Sequence, residues 1–467
     1  MNKIIRISIG FCVVVLQLNA LTLKESIVKT INNNPFIKER IKNYKATLED
    51  VKIAKAGWLP KLDYLGGVGY EKIRNNSTAY SYKGSHIYEN TLSLIENIFN
   101  GWSTTHTVKI HEARVAAAAY NYIEKANDTA FNLVNYYIRV VKNRELLQIA
   151  KENIQINQSI ANKVKKLYDS GLSAKTEVEK INASLSLARA NYIVQRNNLR
   201  DSIYQFKYYY GTKIDPNSLI PPIFDYKLPA TYKEGLDFAL KHNPSLLVQK
   251  YNIVVAKEDY KEKKSKFYPK FNIEARRSWN YNSGGVDGID HRYRVVFTVN
   301  YNLFNGFADK ATIQKGISKI NQEIQIKNDL IRQTSESYDL SWNSYKETKE
   351  QLKFLKNYKK FSVSTLRLYS KEFDMGKRSL LDLLSAQNDL INAKSQIVNA
   401  KYNYLFAKYR ILDAMGIMVK DILGTDERVY AKVGLKSKND IPLDKYPAQA
   451  IKENDEFLNE LEKNDKR

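Results

Sequence analysis

The chain has 467 residues, with 74 lysines and arginines against 50 aspartates and glutamates, for a formal net charge of +24. Its one cysteine, Cys12, lies within residues 1–20, so the remainder can form no disulfide, no CxxC redox pair and no cysteine-zinc site. The basic residues are spread along long helical patterns and form no compact block, which reads as a solvated surface and argues against nucleic-acid binding.

Residues 1–20 read as a secretory signal peptide. Lys3 and Arg6 supply the positive start, residues 7–18 are mostly apolar but too short to span a bilayer, and Leu18-Asn19-Ala20 is a small-residue cleavage site. No cysteine follows that site to carry a lipid. After Ala20 nothing approaches the roughly 20 apolar residues of a spanning helix. An exported chain of this kind is either soluble outside the cytoplasm or a β-barrel in an outer membrane.

The mature chain repeats itself. Leu23-Lys24-Glu25, Asn34-Pro35 and Pro60-Lys61 recur 209 residues later as Tyr232-Lys233-Glu234, Asn243-Pro244 and Pro269-Lys270. Phe99-Asn100-Gly101, Gly171 and Gly211 recur 205 residues later as Phe304-Asn305-Gly306, Gly376 and Gly416. A period near 200 residues is a duplicated domain, because solenoid repeats are far shorter. The expected division is residues 21–211 and 232–424, joined by a proline-rich linker or collar at 212–231, with a charged, weakly patterned tail at 425–467 that is expected to be partly disordered.

Each copy opens with a helical pattern broken at Pro35 or its counterpart and ended by Pro60 or Pro269. The period then changes to two, over hairpins at about 61–99 and 270–304. Phe271, Ile273, Ala275 and Trp279 alternate with Asn272, Glu274, Arg276, Ser278 and Asn280. Tyr293, Val295, Phe297, Val299, Tyr301 and Leu303 alternate with Arg294, Thr298, Asn300 and Asn302. The first copy is weaker, with Leu62, Tyr64, Val68 and Tyr70, then Leu92, Leu94 and Ile98. Strands apolar on one face, polar on the other and aromatic near both ends are the pattern of a transmembrane β-barrel. Arg277 interrupts the apolar face and is expected near a membrane interface.

Phe-Asn-Gly ends each hairpin, and long helical patterns follow at about 102–210 and 307–416. Ala119, Ala126, Leu133, Val140, Leu147, Ile154, Ala161 and Tyr168 fall at sevens. Their counterparts are Ile324, Ile331, Tyr338, Tyr345, Leu352, Lys359, Leu366 and Phe373. Such a seam is a coiled coil, and the span 101–171 predicts a helix on the order of 100 Å long. After turns at Gly171 and Gly376 the sevens resume at Val178, Leu185, Tyr192, Leu199 and Phe206, and at Leu383, Leu390, Ile397, Tyr404 and Ile411. Ala386, Ala393, Ala400, Ala407 and Ala414 form a small-residue stripe beside them.

Two hairpins give four strands, which cannot sit open in lipid because their edges carry unpaired backbone groups. Identical chains must share one barrel, two giving eight strands and three giving twelve. The polar inward face implies a water-filled lumen, and the helices imply a second tube reaching deep into the periplasm.

This order of elements, with its paired Asn-Pro, Pro-Lys and Phe-Asn-Gly positions, resembles the TolC family of outer-membrane factors to about residue 424. The resemblance implies a mainly α fold with a transmembrane β-barrel: a homotrimer with a twelve-strand barrel, a twelve-helix periplasmic tunnel and an equatorial layer. It also implies docking to a periplasmic adaptor, or membrane fusion protein, and to an inner-membrane ABC or RND-type pump. By position the first tip turn, from Gly171, places Thr176 and Glu177 at the family's acidic link. The second, from Gly376, places Arg378 on its link arginine and Asp382 on an inward acidic ring. Phe373 stands where the archetype has a tyrosine and Ser385 where it has a second acidic residue. Arg378 and Asp382, four apart, are expected on one helix face. The strand-to-helix re-entries are Asn100, Gly101, Asn305 and Gly306.

Catalysis has little support. His86, His106, His111, His242 and His291 show no HExxH spacing, and no P-loop, GxSxG or dinucleotide fingerprint occurs. No cofactor or metal is expected. The competing reading is a periplasmic coiled-coil scaffold or adaptor without a pore, which explains the heptads but not the alternating strands. Within the export reading, cargo is either a type I secreted protein or a small molecule. The first turn, GLxxxTxV in form, leans toward secretion.

Overall fold

The computed structural model describes residues 20–423. The tail and all of the signal peptide but Ala20 lie outside the described residues. The first copy runs α1 (Leu23–Asn33), α2 (Pro35–Lys55), β1 (Lys61–Ile73), β2 (Lys83–Phe99), α3 (Ser103–Asp169) and α4 (Lys175–Tyr210). The second runs α5 (Tyr232–His242), α6 (Pro244–Lys264), β3 (Lys270–Tyr281), β4 (Ile289–Asn300), α7 (Ala308–Asp374) and α8 (Leu380–Ala414), followed by the short α9 (Met418–Leu423).

Local chemistry sets the helix boundaries. Thr22 and Glu25 form a reciprocal capping box at the start of α1, and Thr231 accepts from the Glu234 amide at the start of α5. The residue before a proline is pushed into extended backbone, so Asn34 and Asn243 end one helix and cap the next. Their side-chain oxygens accept from the amides of Phe36 and Ser245, each at 2.9 Å. Their amide nitrogens donate to the carbonyls of Tyr209 (3.2 Å) and Ala414 (3.1 Å). Tyr209 and Ala414 are themselves repeat counterparts, so each duplicated asparagine ties its helix start to the end of the returning helix.

The four strands form one antiparallel sheet in the order β1-β2-β3-β4. Register aligns Leu62, Leu94, Ala275 and Val295 in one row and Tyr64, Leu92, Arg277 and Tyr293 in another. One face is therefore largely apolar, and the other carries Asp63, Thr91, Ser93, Glu274, Arg276, Arg292 and Arg294. Strands of 12 to 17 residues exceed the roughly 9–11 that span a bilayer when tilted. At the helix end of the sheet an aromatic belt closes the apolar face. Tyr268, Trp102, Phe99, Phe271 and Phe297 follow one another at centroid distances of 5.0 to 5.8 Å. The alternation predicted through Leu303 stops earlier, because β4 ends at Asn300 opposite Lys270, the first residue of β3. Pro269 precedes that position and has no N–H with which to continue the ladder.

The heptad seams became helical core in part; Tyr168 and Lys359 are exposed, and Ile324 and Ile331 only half-buried. Ala119, Ala126, Leu133 and Val140 are buried on α3, and the alanines 386, 393, 400, 407 and 414 are all buried on α8. The 67-residue α3 and α7 are each on the order of 100 Å long. α3 packs against α2 and α6 and, through the turn at Gly171, against α4; it also meets α8. Midway, residues 212–231 form a packed collar. Leu21 and Leu219 make a parallel β-bridge, and the Tyr137 hydroxyl lies 2.7 Å from the carbonyl oxygens of both Leu21 and Ile220. Arg144 donates to the carbonyls of Pro216 (2.6 Å) and Leu219 (3.0 Å).

Candidate functional site

The two helical turns farthest from the sheet bring the candidate tip residues together. α3 ends at Gly171 and α7 at Gly376, both in left-handed backbone (φ 74° and 71°). Glycine takes this conformation without the Cβ penalty other residues meet. Closing hydrogen bonds run from Leu172 N–H to the Leu167 carbonyl and from Lys377 N–H to the Glu372 carbonyl, at 2.8 and 2.9 Å. Behind the turns, Val164, Ile181, Phe373, Leu380, Leu383 and Leu384 form a small apolar core that joins both coils of the chain. Lys163 and Asp374 pair across it.

Arg378 and Asp382 do not share a helix face. α8 begins only at Leu380, with Ser379 as its cap, so Arg378 lies in the turn. Its guanidinium reaches back to Glu372 at 2.8 Å through both Nε and a terminal nitrogen, and stacks 4.3 Å from the Tyr369 ring centre. The hydrogen bond to Glu372 raises its pKa still further. Asp382 serves the cap: the Ser379 hydroxyl donates to it at 2.8 Å and accepts from its amide at 3.2 Å. In the first turn Ser173 donates to Glu177 at 2.6 Å. Thr176 and Ser385 are exposed, while Phe373 is buried in the tip core. Glu372, Tyr369 and the Lys163–Asp374 pair went unseen in the sequence because each contact crosses a turn or joins two helices, and so has no period.

The re-entries from strand to helix are also left-handed, at Gly101 and Trp102 (φ 68° and 64°) and at Gly306 and Phe307 (φ 54° and 61°). Asn100 braces the first through Thr104 at 2.7 Å. Asn305 braces the second more loosely, 3.4 Å from Asp309. Gly101 lies against Ser265, where a Cβ would stand 2.5 Å from the backbone oxygen. Nearby, His106 Nδ1 donates to Glu258 at 2.7 Å and Lys261 donates to the same carboxylate at 2.8 Å, tying α3 to α6. Burial opposes the charge on Glu258, but these hydrogen bonds and the nearby lysines outweigh it and bring its pKa to about 2.

A four-stranded amphipathic sheet carried on coiled-coil helices of this length defines a channel-forming protein of the outer membrane. The profile of the outer membrane efflux protein family matches residues 26–211 and 235–417, one segment for each repeat. The chain belongs to that family: it is an outer-membrane export channel extending into the periplasm, and not an enzyme or a pore-less scaffold. Among similar proteins, outer membrane efflux protein BepC of Brucella suis is 24% identical, the match covering 88% of each chain. The alkaline protease secretion protein AprF of Pseudomonas aeruginosa is 20% identical, covering 79% of each. The outer membrane channel CmeC of Campylobacter jejuni shares the fold with a TM-score of 0.76 at 15% identity, over 88% of this chain and 89% of that one. VceC of Vibrio cholerae does so with 0.74 at 14%, over 84% and 96%.

Proposed function

We propose that three copies of the chain form one conduit, with a twelve-strand barrel in the outer membrane and a twelve-helix tunnel below it. The carrying observation is the pair of open sheet edges. Among the described residues the outer edges of β1 and β4 have no partner, and unpaired backbone cannot rest in hydrocarbon. The duplication supports the same arrangement. Within the chain the end of the first copy meets the start of the second, as β2 on β3 and α3 on α6. The same contacts made by the end of the second copy with the start of the next chain close a ring. Gly306 fits this account: no described residue of its own chain lies within 4 Å of a Cβ placed there. The counterpart of Ser265 at that junction is Ala56 of the partner subunit.

The tip turns are the gate in this reading. Glu177, Arg378 and Asp382 supply charge around the entrance, and Thr176 and Ser385 line exposed positions beside them. Phe373 holds the coils by apolar packing. A periplasmic adaptor and an inner-membrane pump, of the ABC or RND type, dock there and open it. Type I protein secretion is the favoured branch, because two similar proteins are named for protease secretion; small-molecule efflux is the second, after the efflux name of BepC.

The test is the mass of the native species extracted from the outer-membrane fraction in mild detergent. Three protomers that conduct ions in a planar bilayer are expected. A monomer or dimer there would contradict the shared twelve-strand barrel.

A further inference from the structure

Arg277 is the odd residue on the apolar face of the sheet. It lies on β3, flanked by β2 and β4 and away from either open edge, in the row that joins Leu92, Arg277 and Tyr293. Two arginines of the polar face beside it are neutralised: Arg276 pairs with Glu274 at 2.6 Å and Arg292 with Asp290 at 2.7 Å. Among the described residues Arg277 has no such carboxylate. Its guanidinium is instead braced between two rings, 5.2 Å from the centre of Tyr293 and 5.6 Å from that of Trp279.

Height matters as much as charge. Arg277 stands four residues below Tyr281, the hairpin end of β3, toward the opposite end of the same face from the Phe99–Phe271–Phe297 belt. With tilted strands rising about 3.3 Å per residue, that places it roughly 9 Å below the strand end. Tyr64, Tyr88, Trp279, Tyr281 and Tyr293 share this upper band of the same face, as an interfacial girdle does. An arginine here can extend its stem along apolar surface and lift its head to the headgroup level. His291, opposite Trp279, sits on the same face one row higher. Along this face of the described strands the one carboxylate is Glu96, near the helix end of the sheet opposite Ile273. The outer half is thus cationic with no internal counterion.

We propose that Arg277, held by Trp279 and Tyr293 with His291 beside it, binds a phosphate of a phosphorylated glycolipid of the outer leaflet. The fork of a guanidinium suits bidentate contact with phosphate, and the ring faces hold it extended rather than folded toward the lumen. The inference rests on the barrel reading and adds a lipid partner to it.

The experiment reconstitutes the full-length trimer into phosphatidylcholine vesicles containing a minor share of diphosphorylated lipid A, re-extracts it gently and counts lipid A retained per protomer. Wild type is expected to retain roughly tenfold more than Arg277→Leu, the scale of one charge-assisted contact. Arg277→Lys should retain an intermediate amount, and Arg276→Leu, one residue along but facing the lumen, should match wild type. Equal retention by wild type and Arg277→Leu, or equal retention of lipid A stripped of its phosphates, would overturn the site and leave the barrel standing. Failure of wild type to enter vesicles of phosphatidylcholine alone would count against the barrel, and the site would fall with it.

Discussion

Arg378 reaches 2.8 Å to Glu372, six residues back across the Gly376 turn, and so clamps the last turn of α7 to the start of the tip loop. Both side chains are about one-third exposed. A solvent-screened pair of this kind contributes little to stability, so it can bias a gate without holding the fold together. Arg378→Ser and Glu372→Gln are each expected to raise the bilayer conductance of the trimer, and the double variant should add little to either. Conductance raised by Arg378→Ser but not by Glu372→Gln would move the arginine's working partner to a neighbouring chain.

The fold was legible because its parts repeat. Sevens and a fixed offset between copies located both coils, the turns and the hairpins, since a seam at 3.5 residues per turn and a strand at two leave different marks. The tip was legible only in outline. Periodicity cannot foresee that Ser379 caps α8 and so leaves Arg378 outside the helix, or that Asp382 is occupied by that cap. The collar was expected from its prolines, but its contacts were hidden: Tyr137 and Arg144 bind carbonyls more than seventy residues distant, and irregular backbone carries no period to read.

Acid should test the junction of the two copies. Glu258 has a pKa of about 2 in the fold against 4.5 as its ordinary value. For a carboxyl depressed in this way, the stabilisation is complete above pH 4.5 and is lost as pH falls toward 2. Glu258→Gln should therefore show a shallower loss of thermal stability than wild type across that window, having already lost the contribution at neutral pH. Parallel pH profiles for the two proteins would mean the His106–Glu258 contact does not link the copies energetically.

The opposite sign is expected at the end of α8. Asp413 faces a cavity of about 200 Å³ that Asp128 and Glu124 also line. Burial, reinforced by the charge of Asp128, raises its pKa to about 8 despite Arg410. A raised carboxyl pKa means the folded chain holds a proton that the unfolded chain releases, so stability falls as pH climbs from about 4 to 8. Asp413→Asn should remove that decline and be the more stable protein at pH 8, by on the order of a few kcal/mol. A melting temperature of the variant that tracks wild type over this range would refute a buried neutral Asp413.

The re-entry glycines separate folding from assembly. Gly101→Ala adds a Cβ 2.5 Å from the Ser265 carbonyl oxygen within the same chain, as well as occupying left-handed backbone. It should lower the yield of folded chain in the outer membrane. Gly306→Ala carries only the backbone cost of roughly 1 kcal/mol inside its own chain, and any further loss should appear as trimers that form slowly or dissociate. The measurement is folded monomer against trimer on native gels. Identical behaviour of the two variants would remove Gly306 from the inter-chain contact.

The strongest test of assembly lies on α7. Phe354, Phe361 and Leu368 recur at sevens and are 67%, 66% and 51% exposed in the single chain. Two of their counterparts in the first copy, Ile149 and Ile156, share a face of α3 with Glu145, Glu152 and Asn153. That face meets α8 through contacts such as Lys394 to Glu152 at 2.6 Å and Gln387 to Asn153 at 3.0 Å. In the trimer proposed above, the repeat places the α7 stripe against α4 of the next chain. Two phenylalanines left in water would forfeit about 2 kcal/mol each, so an unpartnered stripe is costly and a shared one drives association. Phe354→Glu and Phe361→Glu should each leave the tip core and the turn clamps of the single chain untouched. Together they should shift the trimer to monomer in detergent at concentrations where wild type stays assembled. A double variant that remains fully trimeric would place the subunit contact on another face of α7.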